Sequence, residues 1–335
     1  MAEAKVPGEA PLAPATQIKG RATLRGHISI ARIDHWFKNV FVLPGIVAAI
    51  GVDPQSFGPG LFQRILIGMA SICLVASSNY VVNEVLDAPS DLSHPVKHAR
   101  PVPSGKVNIP LAYVQWIVLM LIGVGLGSLI STPFMLTALV LWIMGCIYNI
   151  RPIRSKDLPY LDVLSESVNN PIRMLAGWYI VGTTFLPPAS LLLSYWMVGC
   201  YFMAMKRYAE FRDIADHARA AAYRKSFAFY TEERLLVSIM FYGSAAMLFL
   251  GAFTFRYRLE LIVAFPLVSL VMAIYLMLAF RPNSAVQRPE GLYKEPTLMA
   301  AVVVCAVVIC YGLLVDMPSV HKVFNPTAPT IDQRK

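Results

Sequence analysis

Apolar and polar residues alternate in long blocks along this chain. Mostly apolar runs centre on 38–52, 62–84, 109–130, 133–150, 160–182, 187–206, 235–254, 258–280 and 298–315. A helix needs roughly 20 such residues to cross the hydrocarbon core of a bilayer. The pattern therefore predicts an all-α integral membrane protein of about nine transmembrane helices. The first run is short, and the fifth is unusually polar. Residues 27–37 mix apolar and basic positions and predict an interfacial helix anchored by Trp36 and Phe37.

Lysine and arginine distribute unevenly between alternate loops. Segments 1–38, 84–108, 150–157, 206–234 and 281–294 hold 22 of the 29, whereas 53–61, 131–132 and 183–186 hold none. Basic loops stay on the cytoplasmic side of a membrane. The expected topology puts the amino terminus and basic loops in the cytoplasm and the carboxyl terminus outside. Residues 1–26 lack the apolar stretch of a signal peptide and read as a disordered cytoplasmic tail. Residues 27–316 then form the membrane domain, and 317–335 an external tail.

Composition agrees with this reading. The 335 residues are 56% hydrophobic and 15% charged, against roughly 25% charged in soluble domains. The net charge of +9 reflects basic cytoplasmic loops, so no nucleic-acid partner is expected. Five cysteines all lie in apolar runs and fit neither a zinc pattern nor a disulfide framework.

Ionisable residues inside a span are costly and usually face a cavity or serve function. Three clusters stand out. The first ends the second span: Asn79, Asn83 and Asp87 recur every four residues and stack on one helix face. Pro89 is expected to end or kink the helix, leaving Asp91 on the following turn. Two carboxylates and the Asn83 amide oxygen suit Mg²⁺, which completes its shell with water and substrate phosphate oxygens. Lys97 and Arg100 follow closely, placed to hold phosphate. His94 and His98 read as ordinary loop histidines.

In the second cluster, Asp162, Glu166, Asn169, Asn170 and Arg173 share one helical stripe of the fifth span. Such a stripe lines a wet, protein-enclosed cavity; alternatively, Arg173 neutralises Asp162 or Glu166 in a structural network. The third cluster, Lys206, Arg207 and Glu210, continues a charged face out of the sixth span.

The run Asn83, Asp87, Asp91, then His94 to Pro101 and Ser104-Gly105, resembles the first aspartate-rich motif of the UbiA prenyltransferase superfamily. The resemblance implies nine helices around a central cavity, with Mg²⁺-bound diphosphate at its cytoplasmic end. Further segments resemble the branch that makes decaprenylphosphoryl-phosphoribose. They are Trp36 to Asn39, Lys156 to Asp162, Ile172 to Gly177, Lys206 to Phe211 and Arg224 to Thr231. Glu84 replaces the aspartate that usually follows the motif asparagine, and Pro89 is unusual between the two aspartates. Ordinary members carry a second aspartate-rich motif on the sixth span, for a second Mg²⁺. Here that place holds Lys206 and Arg207, which suits an anionic acceptor bound directly.

The expected activity is transfer of a 5-phosphoribosyl group from phosphoribosyl diphosphate to a polyprenyl (decaprenyl) phosphate. Asn83, Asp87 and Asp91 are the expected catalytic metal ligands. The expected substrate-binding set adds Lys38, Asn39, Asn79, Lys97, Arg100, Lys156, Asp162, Arg173, Lys206, Arg207 and Glu210. Asp213 and Asp216 keep open an alternative, isoprenyl transfer to an aromatic acceptor. A transporter is a remoter alternative, because the acids gather at one end and no inverted repeat is evident.

Overall fold

The computed structural model describes residues 21–92, 97–214, 216–287 and 289–324. Thirteen α-helices and short 3-10 segments make up the described elements, and no strand occurs among the described residues. The helices are α1 (Leu24–Ile30), α2 (Leu43–Val52), α3 (Leu61–Asp91), α4 (Ile109–Ser128) and α5 (Thr132–Asn149). There follow α6 (Leu161–Ser167), α7 (Asn169–Val181), α8 (Ala189–Ile214), α9 (His217–Tyr223) and α10 (Glu232–Tyr257). The chain closes with α11 (Phe265–Ala279), α12 (Pro296–Leu314) and α13 (Pro318–Phe324).

Seven helical segments are long and apolar enough to cross a membrane: Leu24–Val52, Leu61–Asp91, Ile109–Ser128, Thr132–Asn149, Glu232–Tyr257, Leu259–Ala279 and Pro296–Leu314. The expected fifth and sixth spans fold as α6–α7 and α8 but fall outside that set: α6 and α7 are separate helices of 7 and 13 residues, and α8 is less apolar. Among the described residues seven apolar spans are thus found where about nine were expected. Outward-facing residues such as Leu121, Phe241 and Val307 are exposed and apolar, which suits a lipid solvent.

Local signals set the helix starts. Asn108 and Ser131 accept from the backbone N–H groups of Leu111 and Phe134, and a proline follows each within the first turn. Thr231 caps α10 in the same way. The expected tails are shorter than predicted. The helix α1 begins at Leu24 with Thr23 as its cap, and α13 occupies 318–324. The remainder of both tails, with His94, lies outside the described residues.

The expected interfacial helix at 27–37 is split between α1 and a 3-10 segment, Ile33–Val42, with Arg32 left-handed between them at φ 48°. Trp36 turns inward, its indole N–H donating to Ser77 Oγ at 2.9 Å, so Phe37 alone remains a surface anchor. Pro89 does not end α3, which runs through it to Asp91. The loss falls in the last turn, where the Ser90 hydroxyl donates to the Asp87 carbonyl at 2.8 Å.

Two glycines bring α2 and α7 into backbone contact. A Cβ on Gly45 would lie 1.8 Å from the Met174 carbonyl oxygen, and one on Gly177 would lie 2.0 Å from that of Val42. Only glycine permits this reciprocal approach, the usual way to pack helices closely in lipid. It fixes the register between Asn39, just before α2, and Arg173, one turn before Gly177.

Candidate active site

At the end of the bundle that carries the basic loops, five elements converge. They are the end of α3, the end of α5, the turn Ser155–Asp157, the start of α6 and the exit of α8. Because α3 continues through Pro89, Asp87 and Asp91 are one turn apart on the same face. Asp87 Oδ1 accepts from Lys156 Nζ at 2.6 Å and from Arg154 Nη2 at 2.9 Å. Asp91 Oδ2 accepts from Arg100 Nη1 at 2.6 Å. Asn83 Nδ2 donates to Asp87 Oδ2 at 3.3 Å and to Asn149 Oδ1. Lys156 also reaches Asn149 Oδ1 at 2.9 Å. Burial pushes the Lys156 ammonium below the ordinary lysine value, against the pull of Asp87.

These donors fit a hard cation. Asp87 gives Oδ1 to two bases and only a long contact from Asn83 to Oδ2, Asp91 gives Oδ2 to Arg100, and Asn83 turns its amide N–H inward, leaving its carbonyl oxygen available. Among the described residues no three His, Cys, Asp or Glu side chains cluster as a closed metal site. A cation held here would take its remaining ligands from water or substrate, the habit of Mg²⁺ with phosphates.

A second network lies beside this one. Arg207 on α8 is 2% exposed and donates from Nε to Asp162 Oδ2 at 3.2 Å. Its Nη2 meets Glu166 Oε2 at 2.6 Å and its Nη1 meets Glu210 Oε2 at 3.2 Å. Asp162, fully buried, also accepts from Arg224, Ser226 and Tyr230 at 3.0, 3.1 and 2.7 Å. Tyr148, next to Asn149, donates to Glu166 at 2.9 Å and joins the two networks. Arg207 is therefore the hub of a buried ion cluster rather than an exposed phosphate ligand. Three carboxylates converge on it because a buried cation is tolerable only when paired. Asp162 and Glu210 are likewise committed to that cluster. Among the described residues Lys206 makes no ion pair and stays half-buried beside Glu166.

Other expected residues separate. Asn79 faces α5, where its Nδ2 donates to the Leu141 carbonyl at 3.0 Å and its amide packs on Gly145. It is a helix-packing residue, because α3 has turned its stripe towards α5 at that depth. Glu84 is 1% exposed and accepts from Arg32 at 3.3 Å and from the Val102 N–H at 3.1 Å. It ties the loop after α3 to the amino-terminal segment, which explains why the residue beside the motif asparagine is not a further ligand. Lys97 lies within electrostatic reach of Asp91, Arg100, Arg224 and Glu210, and burial pushes its ammonium down. Its Nζ sits 5.3 Å from the Tyr223 ring. Lys38 stands on the 3-10 segment with its ammonium 5.9 Å from the Phe37 ring. Asn39 is buried, donating to Cys73 Sγ at 3.1 Å and accepting from Arg173 Nε at 2.9 Å. Arg173 thus meets Asn39, not Asp162 or Glu166 as the structural alternative required.

The sequence profile of the UbiA prenyltransferase family matches residues 40–294. The chain belongs to the UbiA prenyltransferase family. It is a transferase, and its sequence sides with the phosphoribosyltransferase branch of UbiA proteins. A decaprenyl-phosphate phosphoribosyltransferase of Corynebacterium glutamicum is 32% identical over 213 residues, 62% of this chain and 60% of that protein. The protein of that name from Mycobacterium tuberculosis H37Rv is 29% identical over 232 residues, 69% of this chain and 74% of that protein. The chain thus spans less than two thirds of the corynebacterial relative. A UbiA homolog from Archaeoglobus fulgidus, solved bound to DMAPP and Mg²⁺, superposes with a TM-score of 0.66 at 19% identity. That match covers 89% of this chain and 100% of the archaeal one, and it establishes the UbiA fold.

Several site residues were not singled out from the sequence. Arg154, Asn149 and Tyr148 sit where α5 ends, a place marked only by the basic count of its loop. Tyr230 and Ser226 lie in a segment recognised by resemblance alone, and nothing local marks them as partners of Asp162.

Proposed function

We propose that this UbiA transferase moves a 5-phosphoribosyl group from phosphoribosyl diphosphate to a polyprenyl phosphate. The observation that carries the reading is the chemistry at the exit of α8. Where ordinary UbiA members carry a second acidic motif for a second metal, this chain places the half-buried Lys206, beside Arg207 and Arg224 that Asp162, Glu166 and Glu210 hold in place. The two acids that kept ordinary prenyl transfer open have structural work: Asp213 accepts from Gln287, and Asp216 caps α9 through the Ala218 N–H at 2.8 Å.

In this reading Asn83, Asp87 and Asp91 hold Mg²⁺, which neutralises the diphosphate as it leaves. Lys156, Arg154, Arg100 and Lys97 surround the same carboxylates and bind the diphosphate oxygens. Lys206 and Lys38 orient the lipid phosphate. Its oxygen attacks C1 of the ribose as the C1–O bond to diphosphate breaks, and diphosphate leaves with the electron pair. The attacking phosphate is already ionised, so no side chain needs to take a proton. Orientation of the two anions supplies much of the acceleration. The Arg207 cluster holds α6 and α8 at the spacing this requires. The basic end faces the cytoplasm in a bacterial inner membrane, where the water-soluble donor is found.

The test is purified protein in lipid-supplemented detergent, offered labelled phosphoribosyl diphosphate with polyprenyl phosphate, or labelled isoprenyl diphosphate with an aromatic acceptor. Label should enter the lipid only from the first donor, should stop with a chelator and return with Mg²⁺ or Mn²⁺. Label transfer from the isoprenyl donor alone overturns the assignment.

A further inference from the structure

Arg32, Arg100, Arg154, Arg207 and Arg224 each meet a carboxylate. Arg173 does not. Its Nε donates to Asn39 Oδ1 at 2.9 Å and its Nη1 to the Asn169 carbonyl at 3.3 Å, both uncharged acceptors. Among the described residues it forms no ion pair. Its electrostatic neighbours are Tyr80, Tyr195 and Cys73. A cation without a counter-charge inside a membrane bundle is costly and calls for an anion.

The position is informative. Arg173 lies seven residues beyond Glu166 on α6–α7, and Tyr80 lies seven before Asp87 on α3. At about 1.5 Å per residue both sit about 10 Å deeper than the acidic layer. Tyr80 is within electrostatic reach of both Arg173 and Glu166, so the two levels lie close together. One turn above Arg173, the buried Asn169 Oδ1 also lacks a hydrogen-bond partner among the described residues.

We propose that Arg173, the floor of the site below the acidic layer, binds a phosphate monoester, separate from the metal-held diphosphate. The inference rests on the phosphoribosyl reading and deepens it, since an isoprenyl donor has only hydrocarbon to offer at that depth. The monoester is either the 5-phosphate of the donor or the headgroup of the lipid. The Asn39–Arg173 bond, fixed by the Gly45–Gly177 crossing, aims the guanidinium and leaves Nη2 for the ligand.

Binding is measured on the full-length protein in detergent with Mg²⁺, using phosphoribosyl diphosphate, polyprenyl phosphate and inorganic diphosphate as separate probes. Arg173→Gln removes the charge. Asn39→Asp keeps it but sets a carboxylate beside it, so the floor is neutralised in a folded protein. Both variants should weaken one of the two phosphate esters by about ten- to a hundredfold, the worth of one charge-assisted hydrogen bond. Inorganic diphosphate should bind as in the unaltered protein. Selective loss of phosphoribosyl diphosphate assigns the floor to the sugar 5-phosphate, and selective loss of polyprenyl phosphate assigns it to the lipid. If both esters bind normally, or all three probes weaken together, the subsite is overturned. An unaltered protein that does not bind phosphoribosyl diphosphate refutes the donor instead, and the polyprenyl phosphate measurements still decide the subsite.

Discussion

Lys156 places its ammonium 2.6 Å from Oδ1 of Asp87, across 69 positions of chain. A base from one loop therefore occupies an oxygen of the carboxylate proposed to hold the metal. The pair has a mechanistic consequence. A cation arriving alone must compete with Lys156 and Arg154, whereas a metal–diphosphate complex brings anionic oxygens to receive both bases. Lys156→Met should raise the affinity for Mg²⁺ alone and lower the affinity for the magnesium–diphosphate complex by about tenfold or more, the worth of one charge-assisted contact. Calorimetric titration with and without diphosphate checks it, and equal changes in both would sink the idea.

Asp87→Asn and Asp91→Asn should each abolish turnover while the protein still inserts and purifies. Two carboxylates supply the charge that retains the cation. Near-normal rates at low Mg²⁺ for either variant would refute the metal assignment.

Glu84→Ala should act on stability first. It leaves Arg32 without its carboxylate and the Val102 N–H without its acceptor, each worth roughly 1.5–3 kcal/mol. Thermal unfolding in detergent should show a lower midpoint for Glu84→Ala and a smaller loss for Glu84→Gln, which retains an oxygen. A catalytic defect with an unchanged midpoint would instead make Glu84 part of the chemistry.

Gly177→Ala tests the crossing of α2 and α7. The added methyl meets the Val42 carbonyl, a backbone atom that cannot swing aside. Overpacking of this kind costs about 1–3 kcal/mol. The variant should unfold earlier and should also loosen the Asn39–Arg173 contact. Unchanged stability would show that the helices have room to part.

The basic loops predict topology. A reporter fused after Lys335 should read external, and one inserted near Ala218 cytoplasmic. Nine passages and seven are both odd, so the two counts agree on opposite sides for the termini. A cytoplasmic reading at Lys335 would require an even number of crossings.

The membrane architecture was legible in the sequence because it rests on local quantities. Run length decides whether a helix can cross lipid, and loop charge gives the orientation that the reporter fusions test. The i, i+4 spacing of Asn83 and Asp87 put both on one face of α3 without any tertiary information. Asp91 was expected on a later turn, because proline usually stops a helix; only the structure carried α3 through Pro89 and aligned the pair. Partner choice was beyond the sequence throughout. Asp87 meets Lys156, Asn39 meets Arg173, and Asp162 meets Arg207 and Arg224 from elements far apart along the chain. Arg207 and Arg173 look alike in the sequence, each an arginine within a polar span. The fold surrounds one with three carboxylates and leaves the other with neutral acceptors. Charge compensation in a low-dielectric interior is a property of neighbours in space, and only the packed helices determine who those neighbours are.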